Sequence, residues 1–233
     1  SGSWVTVTYG EAHGAVRSLA QALLDRGLGP SRPLMLLSGN GIDHALLALA
    51  GMHVGVPYAP VSPAYSLLSK DFAQLKHVMR LLTPGLVYAS DRAAFQAAAR
   101  ASLSGVEVLH REEFHDLEKL EPTRAVDEAH ERVGPDTIAK LLFTSGSTGQ
   151  PKGVINTQRM WCSNQAMIRY MFAFFADEPP VIVDWAPWHH PPAGNHDFGL
   201  VLYNGGSYYI DEGKPLPGAI ETTVRNLREI APT

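Results

Sequence analysis

The sequence has few of the features that mark specialised classes of protein. It contains one cysteine, Cys162, in 233 residues. A disulfide framework is therefore excluded, and we expect a reducing, cytoplasmic location. No apolar run approaches the roughly 18 residues of a membrane helix. The net charge of −4 argues against nucleic acid or an anionic membrane as a partner. Residues 1–3, Ser-Gly-Ser without a methionine, predict a tag remnant.

The pattern of apolar residues that is present predicts an α/β fold. Apolar residues make up 45% of the chain, which is enough for a core. Residues 34–38 and 56–61 read as buried strands around a helical pattern at 42–54, and such a βαβ unit predicts a parallel sheet. Residues 111–132 are predicted to form solvated loop and short helix. Further helices are predicted at 9–27, 67–82, 92–101, 157–172 and 219–230, and further strands at 86–89, 106–109, 138–143, 181–185 and 207–210.

A loop rich in glycine and hydroxyl groups follows the apolar run at 138–143. Glycine lets successive backbone N–H groups point into one concavity, to which hydroxyl groups add donors and a lysine adds positive charge. Such a loop suits a polyphosphate, although a Ser/Gly/Thr-rich surface turn is the alternative interpretation. No Walker A loop can be read here, because Gly146 plus five positions is Pro151. We expect the following helix, capped by Asn156 or Thr157, to point its positive end toward the anion. The residues are Thr144, Ser145, Gly146, Ser147, Thr148, Gly149, Pro151, Lys152 and Gly153.

A second candidate site lies in residues 185–190, WAPWHH, with His196 and Asp197 beyond it. The spacing matches no zinc pattern and Pro191-Pro192 interrupts any helix of the H-E-x-x-H type, so no metal ligand is predicted. Two interpretations remain. The aromatic residues close a core and the histidines lie at the surface, or the segment forms the wall of a pocket for an apolar carboxylate.

Two motifs in this sequence resemble those of a known family. Residues 144–153, TSGSTGQPKG, resemble the phosphate-binding signature of the adenylate-forming superfamily, which includes acyl-CoA synthetases, luciferases and peptide-synthetase adenylation domains. Residues 184–204, with the following GGSYYIDEGKPLPGAIE, are similar to the feruloyl-CoA synthetase branch. That branch usually reads LPWNHTFGGNH, and this sequence departs from it at Ala186, His189, Pro191, Pro192 and Ala193. The resemblance covers nearly the whole chain.

The resemblance implies a particular fold and a longer protein. Residues 4–233 are expected to be a truncated N-terminal adenylation domain without its lid domain. Two layered, mostly parallel βα sub-sheets are implied, one formed by residues 4–55 plus 178–233 and the other by residues 56–177. The Mg²⁺-binding glutamate, the ribose-binding aspartate and the adenylation lysine of the family are expected beyond Thr233.

The resemblance also implies an activity and its site residues. The full-length enzyme is expected to activate a carboxylic acid, a hydroxycinnamate such as ferulate, to acyl-AMP and then acyl-CoA, using ATP, Mg²⁺ and coenzyme A. A fatty-acyl or other aryl-CoA ligase, a non-catalytic nucleotide-binding module and a ligand-free folded fragment are the alternatives. The isolated chain is expected to be inactive. The resemblance implies that Trp185 and Trp188 contact the acyl body, that His190 contacts the carboxylate, and that Lys152 and His190 are catalytic. The residues implied to bind the β- and γ-phosphates are Thr144, Ser145, Gly146, Ser147, Thr148, Gly149 and Lys152.

Overall fold

The computed structural model describes residues 4–144 and 149–233. The strands are β1 Leu34–Leu37, β2 Tyr58–Pro60, β3 Leu86–Ala89, β4 Glu107–Leu109, β5 Ile138–Thr144, β6 Lys152–Thr157, β7 Val181–Asp184 and β8 Ser207–Ile210. The helices are α1 Tyr9–Asp25, α2 Ile42–His53, α3 Ala64–Leu67, α4 Ala73–Leu82, α5 Arg92–Ser102, α6 Arg111–Leu117, α7 Arg124–Glu131, α8 Gln158–Met171, α9 Phe198–Asn204 and α10 Ile220–Ile230. A 3₁₀ turn covers Ala173–Ala176 and a π-helical turn covers Pro192–Asp197. No helix in this described part has the length and apolar character that crossing a bilayer requires.

The main sheet is the parallel sheet that the sequence predicts. In the described residues its strand order is β4-β3-β1-β2-β5-β6, and every neighbouring pair is parallel except the antiparallel β5–β6 hairpin. Both faces are buried, because successive side chains of a strand point to opposite sides. Leu34 and Leu36 of β1 join one core cluster with α1 and α2, and Met35 and Leu37 join another with α4 and α5.

The strand pairing contradicts the expected grouping of residues 4–55 with 178–233. β1 pairs with β2 and β3 in the main sheet, whereas β7 and β8 pair only with each other among the described residues. The physical reason is the short β1–α2–β2 crossover, which places consecutive strands side by side. The N-terminal part still contacts the last quarter of the chain through side chains: the Tyr9 hydroxyl of α1 donates to the carbonyls of Val201 at 3.1 Å and Gly206 at 3.0 Å, and Asn40 bonds Ala186 and Trp188.

One predicted helix starts late because short polar side chains bind the backbone before it. The helix predicted at 67–82 begins only with α4 at Ala73, after the short α3 ends at Leu67, and Phe72 just before α4 has a positive φ of 55°. Ser69 accepts a hydrogen bond from the Phe72 N–H, and Asp71 accepts one from Ala73. Competition of this kind interrupts helices. Residues 111–132, predicted to form solvated loop and short helix, contain the short helices α6 and α7, which bury Phe114 and Val126.

Candidate functional site

The glycine-rich loop connects the two strands of the β5–β6 hairpin. Ser145, Gly146, Ser147 and Thr148 lie outside the described residues, so their assignment to phosphate stays a prediction. At the mouth of the hairpin Thr144 stands directly opposite Lys152 in the strand register, and both are exposed. Opposed residues of an antiparallel pair lie roughly 5 Å apart at Cβ. The structure therefore brings a hydroxyl and an ammonium together beside the loop.

The far end of the loop is anchored to the main sheet's helices. Gly149 adopts a positive φ of 75°, a conformation that suits glycine. The Nε2 of His77 in α4 lies 3.0 Å from the Pro151 carbonyl oxygen. A carbonyl can only accept, so His77 donates. The described end of the loop is thereby held against α4.

The expectation that α8 points its positive end at the loop is wrong. Thr157 does cap α8, accepting a hydrogen bond from the Met160 N–H at 3.3 Å. However, Thr157 pairs with Ile138, at the end of the hairpin away from Thr144 and Lys152. β6 spans six residues from Lys152 to Thr157, so its two ends are separated by roughly 17 Å at strand spacing. The loop connects two antiparallel strands and does not lead into a helix.

The aromatic segment crosses the carboxyl edge of the sheet. Asn40, just after β1, donates from Nδ2 to the Ala186 carbonyl at 2.8 Å and accepts from the Trp188 N–H at 3.0 Å. β1 and β5 run in the same direction, so Asn40 and Thr144 lie at the same edge. Open parallel sheets bind ligands at this edge. The two motifs singled out in the sequence therefore meet at one side of the fold.

The three residues assigned to the acyl site have different environments. Trp188 is 5% exposed and packs against Ala193 and Phe198, whereas Trp185 is 38% exposed. The Trp188 indole donates to the Tyr208 hydroxyl at 2.9 Å, which in turn donates to Asp184 at 2.7 Å. Trp188 is thus a core residue with its polar atom satisfied.

The histidines of the segment are neither alike nor arranged for a metal. His190 is exposed, and its ring lies 4.4 Å from that of half-buried His189. Burial lowers the pKa of His189 to about 4, and the neighbouring His190 adds to the shift. Burial likewise lowers the pKa of His44 to about 4; its ring packs edge-on against Trp188, and its Nδ1 lies 2.9 Å from Ser38 Oγ. Residues 4–144 and 149–233 contain no group of three His, Cys, Asp or Glu side chains placed to hold a metal ion.

Lys140 is a prominent site residue that the sequence reasoning did not identify. Its side chain lies in the middle of β5 with no solvent exposure. The Nζ donates to the Gly194 carbonyl at 2.8 Å and lies 4.4 Å from the centre of the Trp161 ring. Burial lowers the pKa of Lys140 to about 7. The only sequence signal was a single charge within the run at 138–143.

The neighbouring carbonyl, that of Asn195, has two further donors. The Trp161 indole N–H donates to it at 2.9 Å and Gln165 Nε2 at 2.7 Å. The Asn195 side chain donates to Asn156 of β6 at 3.0 Å. The segment that begins beside β1 at Asn40 is therefore bound at its other end to β5, β6 and α8.

The described surface also contains two open grooves away from this segment. A groove of about 470 Å³ lies on α10 beside Ile220 and Val224. Another of about 370 Å³ lies on α8 beside Met167 and Tyr170. Neither is lined by Trp185, Trp188 or His190.

Solved structures of other proteins share this fold. ATP-bound MatB from Rhodopseudomonas palustris superposes with a TM-score of 0.75 at 22% identity, over 95% of this chain and 42% of that one. The fatty acyl-adenylate ligase from L. pneumophila, in complex with acyl adenylate and pyrophosphate, gives a TM-score of 0.75 at 20% identity, over 97% of this chain and 37% of that one. The fold is thus the N-terminal α/β domain of adenylate-forming enzymes, as the sequence predicts.

Sequence comparison assigns the family. The model for the AMP-binding enzyme family matches residues 1–233, and the chain belongs to that family. The 4-coumarate–CoA ligase-like 9 of Arabidopsis thaliana is 28% identical over 169 residues, 72% of this chain. The present chain covers 29% of that relative's length.

Proposed function

We propose that the full-length protein activates a carboxylic acid with ATP, forming acyl-AMP and pyrophosphate, and then transfers the acyl group to coenzyme A. The observation that carries this proposal is the TSGSTGQPKG loop at the mouth of the β5–β6 hairpin, at the same sheet edge as the Trp185–His190 segment. Membership of the AMP-binding enzyme family and the fold shared with ATP-bound MatB support it.

The described residues near the loop fit a polyphosphate. Thr144 and Lys152 are exposed side by side, one offering a hydroxyl donor and the other a mobile positive charge. In the proposal the loop residues Ser145, Gly146, Ser147 and Thr148 supply further donors. Two anions must be brought together and the departing pyrophosphate stabilised, which depends on positioning and on charge. Mg²⁺ and coenzyme A enter the proposal through the family alone.

For the acid we propose a hydroxycinnamate such as ferulate. The 4-coumarate–CoA ligase-like relative supports an aryl acid, and the segment exposes both an indole, Trp185, and an imidazole, His190. With a hydroxycinnamate bound, His190 is proposed to flank the carboxylate and Trp185 to contact the acyl body. Trp188 is proposed to support that wall from behind, because it is buried.

A fatty acid is the second candidate. The structural similarity to a fatty acyl-adenylate ligase favours it. The sequence also departs from the feruloyl pattern at Ala186 and Pro191-Pro192, so that pattern does not exclude a fatty acid. Both candidates share the same adenylation chemistry.

The test is carboxylate-dependent release of pyrophosphate by the full-length protein with ATP and Mg²⁺. We expect release with ferulate and coumarate, and weaker release with benzoate and medium-chain fatty acids. Preference for fatty acids would retain the adenylation chemistry and reject the hydroxycinnamate. ATP binding without release for any acid would favour a non-catalytic nucleotide-binding module.

A further inference from the structure

Lys140 is unusual because its buried amine has no acidic partner among the described residues. Lysine is almost never fully buried without a partner, since removing its charge from water is costly. Its described polar contact is the Gly194 carbonyl at 2.8 Å, and aromatic contacts come from Trp161 at 4.4 Å and Tyr58 at 5.6 Å. The side chain therefore joins β5 to the π-helical turn through one backbone carbonyl.

That carbonyl belongs to a glycine in a confined position. A Cβ at Gly194 would lie 2.1 Å from the Trp188 carbonyl oxygen, so no other residue fits without a shift of the backbone. The Gly194 N–H donates to the His190 carbonyl at 2.9 Å. The backbone of one residue, Gly194, thus connects the Lys140 amine to the backbone of His190. π-helical turns are themselves frequent at functional sites.

We propose that Lys140 is a positioning residue for the carboxylate end of the acyl site, holding His190 through Gly194 against the strand that leads into the phosphate loop. This inference rests on the proposed function for its catalytic consequence. The anchoring itself, Lys140 to Gly194 and Gly194 to His190, rests on the geometry alone. In this proposal one strand, β5, contributes to both substrate sites: Thr144 at its end to the phosphate site, and Lys140 to the carboxylate site.

The first measurement is hydrogen exchange in the full-length protein, comparing the parent with Lys140→Met. Methionine matches the length and apolar stem of lysine but has no donor. Amides in residues 188–197 are expected to exchange about tenfold faster, corresponding to loss of one hydrogen bond to a charged group. Lys119→Met, the same change at an exposed position, is the matched control and is expected to leave this segment unchanged. Unchanged exchange in Lys140→Met would overturn the proposal.

The second measurement separates the two substrates in pyrophosphate release. For Lys140→Met we expect the KM for the carboxylate to rise about tenfold, from the same lost hydrogen bond, while the KM for ATP stays within about twofold. Lys140→Arg keeps a donor and is expected to recover most of the carboxylate KM. Equal losses for both substrates, or faster exchange with an unchanged carboxylate KM, would reject the positioning role.

Two further comparisons cover the cases in which Lys140→Met does not fold or the parent protein is inactive. If Lys140→Met fails to fold, Lys140→Gln keeps a polar group of shorter reach and is expected to show the same faster exchange; slow exchange in that variant would reject the anchor. If the parent releases no pyrophosphate with any acid, the proposed function fails, and hydrogen exchange alone decides whether Lys140 anchors the turn.

Discussion

Two lysines of the β5–β6 hairpin show what can be predicted for individual residues. Lys152 was identified because it follows a recognisable loop, and the structure places it exposed opposite Thr144. Lys140 was missed because its partner, Gly194, lies 54 residues further along the chain. Trp188 was grouped with Trp185 for a similar reason, since its burial depends on contacts with Phe198 and Tyr208. A local sequence pattern shows which residue types are present, whereas the contact partners and the burial of a side chain depend on the tertiary fold.

At this scale, Lys152 and His190 should affect different substrates in the full-length protein. Lys152→Ala removes a charge proposed to contact phosphate, so adenylation should slow by about one to two decades, the equivalent of roughly 1.5–3 kcal/mol for a hydrogen bond to a charged group. His190→Ala should raise the KM for the carboxylate and leave that for ATP nearly unchanged. Steady-state pyrophosphate release with each substrate varied in turn measures both.

Each variant serves as the control for the other. An unchanged rate in Lys152→Ala would remove this lysine from the mechanism. Similar losses for ATP and carboxylate in His190→Ala would count against its place beside the acid.

Among the elements, the π-helical turn Pro192–Asp197 contains a glycine, Gly194, whose position leaves no room for a Cβ. The sequence indicated that Pro191-Pro192 breaks the preceding pattern, but no periodicity predicts a π-helical turn. Likewise the sequence predicted the strand at 138–143, but not that β6 would pair antiparallel with it and carry α8 away from the loop. Strand direction depends on pairing partners, which apolar periodicity does not encode.

Gly194→Ala tests the requirement for glycine in this turn. The added Cβ would meet the Trp188 carbonyl oxygen at 2.1 Å, so we expect a loss of about 1–3 kcal/mol in the free energy of unfolding, as for an overpacked core. Chemical denaturation of the full-length protein measures it. Gly134→Ala is the matched control, because nothing lies within 4 Å of its Cβ position. Equal stability of the two variants would show that the backbone at Gly194 adapts freely.

At the scale of the whole molecule, the described surface contains extensive exposed apolar side chains. Met167 is 66% exposed, Tyr170 86% and Met171 75%, all on α8, and Leu227 on α10 is 40% exposed.

The α/β class and the parallel sheet followed from the order of strand and helix patterns. The strand order could not be predicted in the same way, because it depends on which strands pair in the folded chain. For that reason the implied grouping of residues 4–55 with 178–233 differs from the observed sheets.

The 233-residue chain alone is expected to release no pyrophosphate with any acid, whereas the full-length protein does. The chain covers 42% of ATP-bound MatB and 37% of the fatty acyl-adenylate ligase, so more than half of each of those proteins has no counterpart in it. A coupled pyrophosphate assay on both proteins at equal concentration provides the measurement. Acyl-AMP formation by the shorter protein would contradict this expectation and show that the 233 residues suffice for adenylation.

The position of β6 has a practical consequence for handling this chain. β6 forms the border of the main sheet in the described residues, and Gly153, Val154 and Ile155 are exposed there. A border strand with free backbone groups and apolar side chains can act as a template for a strand from another molecule. Concentrated solutions of the isolated chain are therefore prone to aggregate through this border, and a second charged residue near Lys152 is a direct way to improve its solubility.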